Sequence, residues 1–182
     1  EHENRFGFGE VGYLLLSGSL PTREQLSLFT AMIGEARALP DNFTEDMIMR
    51  APSPDIMNKL ASATLALYSY DPTPDDISTE NILRQGIGLM AKFPVIISHA
   101  YQARRRYFES KSMFLHEPDP KLSTAENILR LIRPDGSFTD DEAKLLDRCL
   151  IIHAEHGGGN NSAFTTHVVS SSGTDTYSAI AA

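Results

Sequence analysis

The sequence predicts an all-α protein, and three observations carry that prediction. Apolar residues recur at helical spacing along nearly the whole 182-residue chain, while strand patterns are scarce; the best strand candidate, PVII at 94–97, lies inside a longer helical period. Capping-box patterns, Ser or Thr followed three residues later by Glu or Gln, begin at Thr22, Ser123 and Thr139. Clusters of Pro, Gly, Asp and Asn separate the periodic stretches, as helix stops and turns require.

Taken in order, residues 10–16 read as a short helix ended by Ser17-Gly18. Thr22 and Gln25 then cap a helix over 22–39, with Leu26, Phe29, Ile33 and Ala36 on one face and Pro40-Asp41-Asn42 as its stop. A further short helix is expected over 44–50, closed by APSP at 51–54. From Asp55, the residues Ile56, Leu60, Ala63 and Leu67 keep helical spacing up to Tyr70, with small residues between them. DPTPDDIS at 71–78 is a turn-rich linker. The longest helical pattern covers 79–107, with Ile82, Gly86, Leu89, Phe93, Ile96 and Ala100 along one face. Pro94 lies inside it, removes one N–H and crowds the carbonyl four residues back, which predicts a kink. Arg104, Arg105 and Arg106 close this helix and complement its C-terminal dipole. Ser123 and Glu126 open a helix that turns Ile128, Leu129 and Ile132 inward, and Pro134-Asp135-Gly136 makes a turn. Thr139 and Glu142 open the next, with Leu145, Leu146, Cys149 and Ile152 as its apolar face, so that Cys149 reads as inert core. Asn161 or Ser162 opens a helix over 163–172, and Asp175 caps a last one.

Composition bounds the function. With 41% hydrophobic and 22% charged residues, the chain suits one globular domain or part of a larger one. No apolar run reaches the ~18 residues of a membrane span, and the acidic start EHENRFGFGE lacks the apolar core of a signal peptide. A single cysteine excludes an internal disulfide framework. The net charge of −8 argues against nucleic acid as a partner, and requires any anionic substrate to be held by local groups. Gly157, Gly158 and Gly159 follow a helix, not a strand, so a dinucleotide reading fails on context. SSSG at 170–173 lacks the elbow of a serine nucleophile.

The chemistry-bearing stretch is HAEHGGGNNSAFTTHVVSSSGTDTY at 153–177. His153 and His156, three apart, share one helical face. The glycines beside them let backbone N–H groups approach a ligand, and the helix that opens beyond favours an anion. Imidazole, bare backbone and a helix N-terminus together describe a carboxylate pocket. The same residues also describe a solvated helix end with a glycine cap and loop. A metal set is incomplete, because two histidines and one thiol are too few for zinc.

The stretch extended to Ala182 resembles the citrate synthase segment that reads roughly H-A-D-H-x-x-N-A-S-T-F-T-x-R-V-V-A-S-T-x-S-D-x-Y-x-A-I-A-A. EVGYLLLSGSLP at 10–21 is similar to that family's E-E-V-A-Y-L-L-L-x-G-x-L-P. AKFPVIISHAYQARRR at 91–106 and LSTAENI at 122–128 are similar to its A-K-x-P-x-I-x-A-x-x-Y-R-x-R and L-S-x-A-E-N. Four motifs in the family's order cover nearly the whole chain. The resemblance implies a multi-helical citrate-synthase-like large domain, of which residues 1–182 are a truncated part lacking the small CoA-binding domain. It implies a cytoplasmic homodimer joined through helices near 55–69 and 80–106, acting on oxaloacetate and acetyl-CoA with no cofactor.

In that family an aspartate removes a methyl proton from acetyl-CoA, a histidine donates to the enol oxygen, and a second histidine polarises the oxaloacetate carbonyl. Citryl-CoA then hydrolyses to citrate and CoA. A weak carbon acid must be deprotonated near neutral pH, so the enolate charge needs preplaced donors. The enol-stabilising histidine belongs to a G-P-x-H-G-G-A-N motif expected beyond Ala182, as are the other histidine, the aspartate and the arginines that clamp oxaloacetate. No catalytic residue is therefore assigned within 1–182, and the chain alone is expected to be inactive. By the resemblance, His156 matches the histidine that contacts oxaloacetate and His153 its neighbour at the pocket rim. Asn160 matches the asparagine beside them, and Ser162 the serine that orients the catalytic histidine. His167 stands where many members have arginine and receives no role; Ser53-Pro54-Asp55 replaces a frequent H-P-M. Two other readings stand beside this one: a 2-methylcitrate synthase using propionyl-CoA, and a non-catalytic all-α oligomerisation fragment.

Overall fold

A computed structural model describes residues 5–155, 157 and 159–182, and among them there is no strand. The helices are α1 (Phe8–Ser17), α2 (Arg23–Glu35), α3 (Ile56–Leu67), α4 (Thr79–Phe108), α5 (Thr124–Ile132), α6 (Asp140–His153), α7 (Asn161–Ser170) and α8 (Thr176–Ala181). A turn of π-helix at Thr44–Met49 precedes α3, and a 3₁₀ turn at Tyr68–Tyr70 follows it. No helix among the described residues is long and apolar enough to cross a membrane.

The spine is α4, a 30-residue helix of about 45 Å. It stays helical through Pro94, and Ser98 Oγ donates to the Pro94 carbonyl at 2.7 Å. One of its sides buries Leu89, Ile96, Ala100 and Ala103 with Ala63 and Leu67 of α3, Phe43 and Ile48 at the π-turn, and Tyr177 of α8. Another buries Ala91 with Phe29 and Ile33 of α2, edged by Tyr13 of α1. The expected packing of 55–69 against 79–106 is thus present as α3 on α4.

Local signals set most helix starts. Thr22, Ser123 and Thr139 each accept from the backbone N–H three residues on, and Gln25, Glu126 and Glu142 return the bond. Ser78, Asp55 and Asp175 cap α4, α3 and α8. Gly18 ends α1 in the left-handed conformation, with φ +75°.

Four expectations are corrected by longer-range contacts. Helix α2 stops at Glu35, short of residue 39, because Arg37 is drawn inward: its guanidinium donates to the carbonyls of Asp119 (2.8 Å) and Leu122 (2.7 Å). Lys92 Nζ takes the Ala36 carbonyl at 2.7 Å, and a Cβ on Gly34 would overlap the Pro120 carbonyl. The 44–50 segment is a π-turn, with Arg50 N–H bonded to Glu45 O, which lets Phe43 and Ile48 both reach full burial. In α5 the deepest residues are Ala125, Asn127 and Leu131, while Ile128, Leu129 and Ile132 are half-buried. In α6 most of the expected core face is outside: Leu145 is 63% and Ile152 70% exposed, Cys149 is exposed with them, and Leu146 is half-buried. The buried face carries Ala143 and Asp147, whose carboxylate accepts from Gly7 N (2.7 Å) and Phe8 N (3.2 Å). Gly7 has no side chain with which to cap α1, so a residue 140 positions away supplies the acceptor.

Candidate functional site

The predicted residues fall at the end of α6, at the start of α7 and in the loop between them. His153 is the last residue of α6 and is exposed. Its Nδ1 lies 2.8 Å from the Cys149 carbonyl. A carbonyl only accepts, so Nδ1 carries the hydrogen of this bond. The Glu155 carboxylate is exposed and accepts from Gly157 N–H at 2.6 Å, and Gly157 has φ +90°, which favours glycine. His156 lies outside the described residues.

Asn160 is the N-cap of α7, one position earlier than the sequence indicated, and α7 runs from Asn161 to Ser170 instead of 163–172. Its Oδ1 accepts from Ser162 N (2.8 Å) and Ala163 N (3.3 Å). Two of the donors expected for an anion are thus taken by the protein itself. Ser162, in the first turn of α7, is exposed. The structure therefore brings His153 to the end of α6 and Asn160 and Ser162 to the start of α7. Among the described residues, no group of three or more His, Cys, Asp and Glu is placed to hold a metal ion.

Sequence reasoning missed the best-developed polar centre, at Asp71. Its carboxylate receives Arg84 Nη2 (2.7 and 2.8 Å), Gln85 Nε2 (3.0 Å), the Tyr177 hydroxyl (2.7 Å) and Thr73 N–H (3.0 Å). The Asp71 side chain is 2% exposed. Burial alone would raise its pKa; the bonds from Thr73, Tyr177, Gln85 and Arg84 outweigh burial and hold it well below the usual carboxylate range. Burial, then the bond to Asp71, pushes the Tyr177 hydroxyl up. The centre ties the 3₁₀ turn after α3 to α4 and α8. Only Tyr177, inside the family-like Y-x-A-I-A-A, gave a sequence signal.

A second missed centre surrounds Asn127. Its amide donates to the carbonyls of Asp119, Leu122 and Ser123, and its Oδ1 accepts from Asp119 N. Burial lowers the Arg37 pKa, opposed by Asp119 and Glu126. The LSTAENI motif thus serves architecture here: a capping box and a fully buried amide.

Several cavities lie elsewhere, two of them along α4. An apolar one of about 450 Å³ is bounded by Phe8, Leu89, Phe93, Ile97, Leu150 and Ile180. A polar one of about 140 Å³ includes Asp71, Arg84, Gln85, Lys92 and Tyr177. Neither is lined by His153, Asn160 or Ser162.

Against known proteins, a family model described as "Citrate synthase, C-terminal domain" matches residues 2–182. The chain is 35% identical over 178 residues to 2-methylcitrate synthase 1 of Corynebacterium glutamicum, covering 95% of this chain and 45% of that protein. It is 30% identical over 171 residues to the citrate synthase of Deinococcus radiodurans, covering 94% and 43%. The crystal structure of citrate synthase from Pyrobaculum aerophilum superposes with a TM-score of 0.81 at 27% identity, covering 96% of this chain and 44% of that one. The chain spans less than half the length of the curated relatives it matches.

Proposed function

The chain belongs to the citrate synthase family, and from that premise we propose that its protein condenses oxaloacetate with acetyl-CoA and water to give citrate and CoA. The observation that carries this reading is the TM-score of 0.81 over 96% of the chain with a solved citrate synthase, in a chain that keeps the His-x-x-His-Gly loop between two helices. His156 is the donor to oxaloacetate and His153 the residue at the pocket rim. Asn160 acts as the cap that fixes the start of α7, and through it the position of Ser162. The engagement of the Asn160 oxygen by the α7 N-terminus supports the capping role.

The catalytic base, the enol-stabilising histidine and the arginine clamp match none of residues 1–182, so the chain measured alone makes no citrate. Without a water-excluding closure, an open loop at net charge −8 holds a dianion weakly. Helices α3 and α4 form the dimer contact, the enzyme is cytoplasmic, and acetyl-CoA is a substrate with no further cofactor. A second reading, 2-methylcitrate synthase, is favoured by the 35% identity with a protein of that name. The discriminating experiment is oxaloacetate-dependent thiol release from acetyl-CoA and from propionyl-CoA by the complete protein. A higher kcat/KM with acetyl-CoA supports the first reading, and the reverse order replaces it with the second. Failure with both leaves the all-α oligomerisation fragment as the reading.

A further inference from the structure

Residues 109–122 connect α4 to α5 without regular structure. Within this connection, the strap at 111–118 leaves Phe114 and Leu115 more than a third exposed. Its attachment is polar. Gln102 of α4, fully buried, accepts from Phe114 N–H at 3.2 Å and donates to the Ile132 carbonyl at 2.7 Å. His99, one turn earlier and 6% exposed, sits between Thr44 Oγ1 of the π-turn (Nδ1, 2.8 Å) and the His116 carbonyl of the strap (Nε2, 3.4 Å). The His116 ring in turn donates from Nε2 to the carbonyls of Arg133 (2.9 Å) and Pro134 (3.2 Å).

These contacts fix the proton positions. The His116 carbonyl only accepts, so His99 carries its hydrogen on Nε2 and its bare Nδ1 accepts from the Thr44 hydroxyl. A second proton on His99 would reverse the Thr44 bond and place a cation in the buried contact between α4, the π-turn and the strap. Its charged neighbours are Glu45 on the π-turn and Glu117 on the strap, both exposed, with His116 close by. On α3, Lys59 reaches the far end of the π-turn at the Met47 carbonyl; beyond His116, Arg133 is paired with Glu142. No buried carboxylate among these groups faces the ring. His116, by contrast, keeps its Nε2–H bonds whether or not Nδ1 is protonated.

We propose that His99 is an acid-sensitive latch: protonation of its ring releases the 111–118 strap from α4 and the π-turn while the helical body stays folded. Burial lowers the His99 pKa, an effect partly opposed by the His116 carbonyl, Glu117 and Glu45. The folded chain therefore holds the ring neutral more strongly than the unfolded chain does. The latch is fully effective above about pH 6.5 and weakens as the pH falls below that value. Strap release is a local opening of low-stability structure, separate from global unfolding.

The test is backbone amide hydrogen exchange on peptides within 111–118, corrected for intrinsic rates, at pH 7.5 and 5.5. Strap protection should fall about ten-fold, the scale of one pKa unit, while peptides of α2 keep theirs. In His99→Gln, which offers both bonding functions but does not titrate, strap protection should be independent of pH. The wild-type His99 ring should titrate by NMR below pH 6.5, a readout that remains if the variant fails to fold. Protection that does not change with pH, an equal fall in a folded His99→Gln, or a His99 midpoint at or above 6.5 would each overturn the latch.

Discussion

The Asp71 centre and the 153–162 loop are both rich in polar groups, but their settings are opposite. At Asp71 a nearly buried carboxylate receives four separate donor groups, from the linker, α4 and α8. At the loop, His153, Asn160 and Ser162 bracket an open surface, and the N-terminus of α7 is occupied by its own cap. Burial with several partners makes a carboxylate part of the architecture, because removing it leaves buried donors without their acceptor. Exposure with a helix end, glycines and imidazole leaves a surface that gains strength only when something covers it. The contacts named at Asp71 are all made within the chain, while substrate chemistry is what we propose for the loop motif.

The largest effect that sharpens this contrast is on stability. Asp71→Ala should destabilise the chain by about 3 kcal/mol in urea unfolding, since it strands the Tyr177 hydroxyl and Thr73 N–H and leaves the Gln85 amide with only its longer bonds to the Thr73 and Pro74 carbonyls. Arg84 contributes little to that figure, because its side chain is half in water. Asp71 also sets an acid limb. Its folded pKa is depressed, so its contribution is present above about pH 4 and is lost as the pH falls further. Asp71→Asn should flatten stability against pH in that range; an unchanged slope would assign the limb to other carboxylates.

Next in size is the cap. Asn160→Ala should cost about 1 kcal/mol, and Asn160→Asp should restore most of it. If Asn160→Ala instead left stability unchanged and abolished oxaloacetate binding in the complete protein, Asn160 would be a ligand residue and not a cap. Smaller still is His153→Ala, whose loss in kcat/KM should be less than that of His156→Ala, because an exposed rim residue is well solvated. The smallest effect is at Cys149. Cys149→Ser should shift stability by no more than about 0.5 kcal/mol, and the native thiol should react with a disulfide reagent at the rate of an unfolded control. A thiol protected in the native chain would restore the core assignment.

What the sequence made legible was local. The three capping boxes, the glycine stop after α1 and the Asp175 cap depend on neighbours within four residues, and each is present. The missed features depend on distant partners. Asp147 decides which face of α6 is buried by reaching α1, against the hydrophobicity of Leu145 and Ile152. Arg37 and Lys92 end α2 through contacts 82 and 56 positions away. Asp71 lay in a linker whose composition signalled only a turn, although it meets Tyr177 106 positions on. The loop was legible as a motif, but its openness was not, because exposure is set by how the other helices pack.

The central claim is that the 153–162 loop serves oxaloacetate while Asp71 serves the fold. The most direct measurement is oxaloacetate-dependent thiol release from acetyl-CoA by the complete protein carrying His156→Ala, with thermal stability measured on the same sample. A loss of about 2–4 kcal/mol in kcat/KM, the scale of one charge-assisted donor to an anion, with Tm unchanged, is the predicted result. Wild-type kinetics, or a kinetic loss matched by a fall in Tm, would contradict it and return the histidine pair to structure.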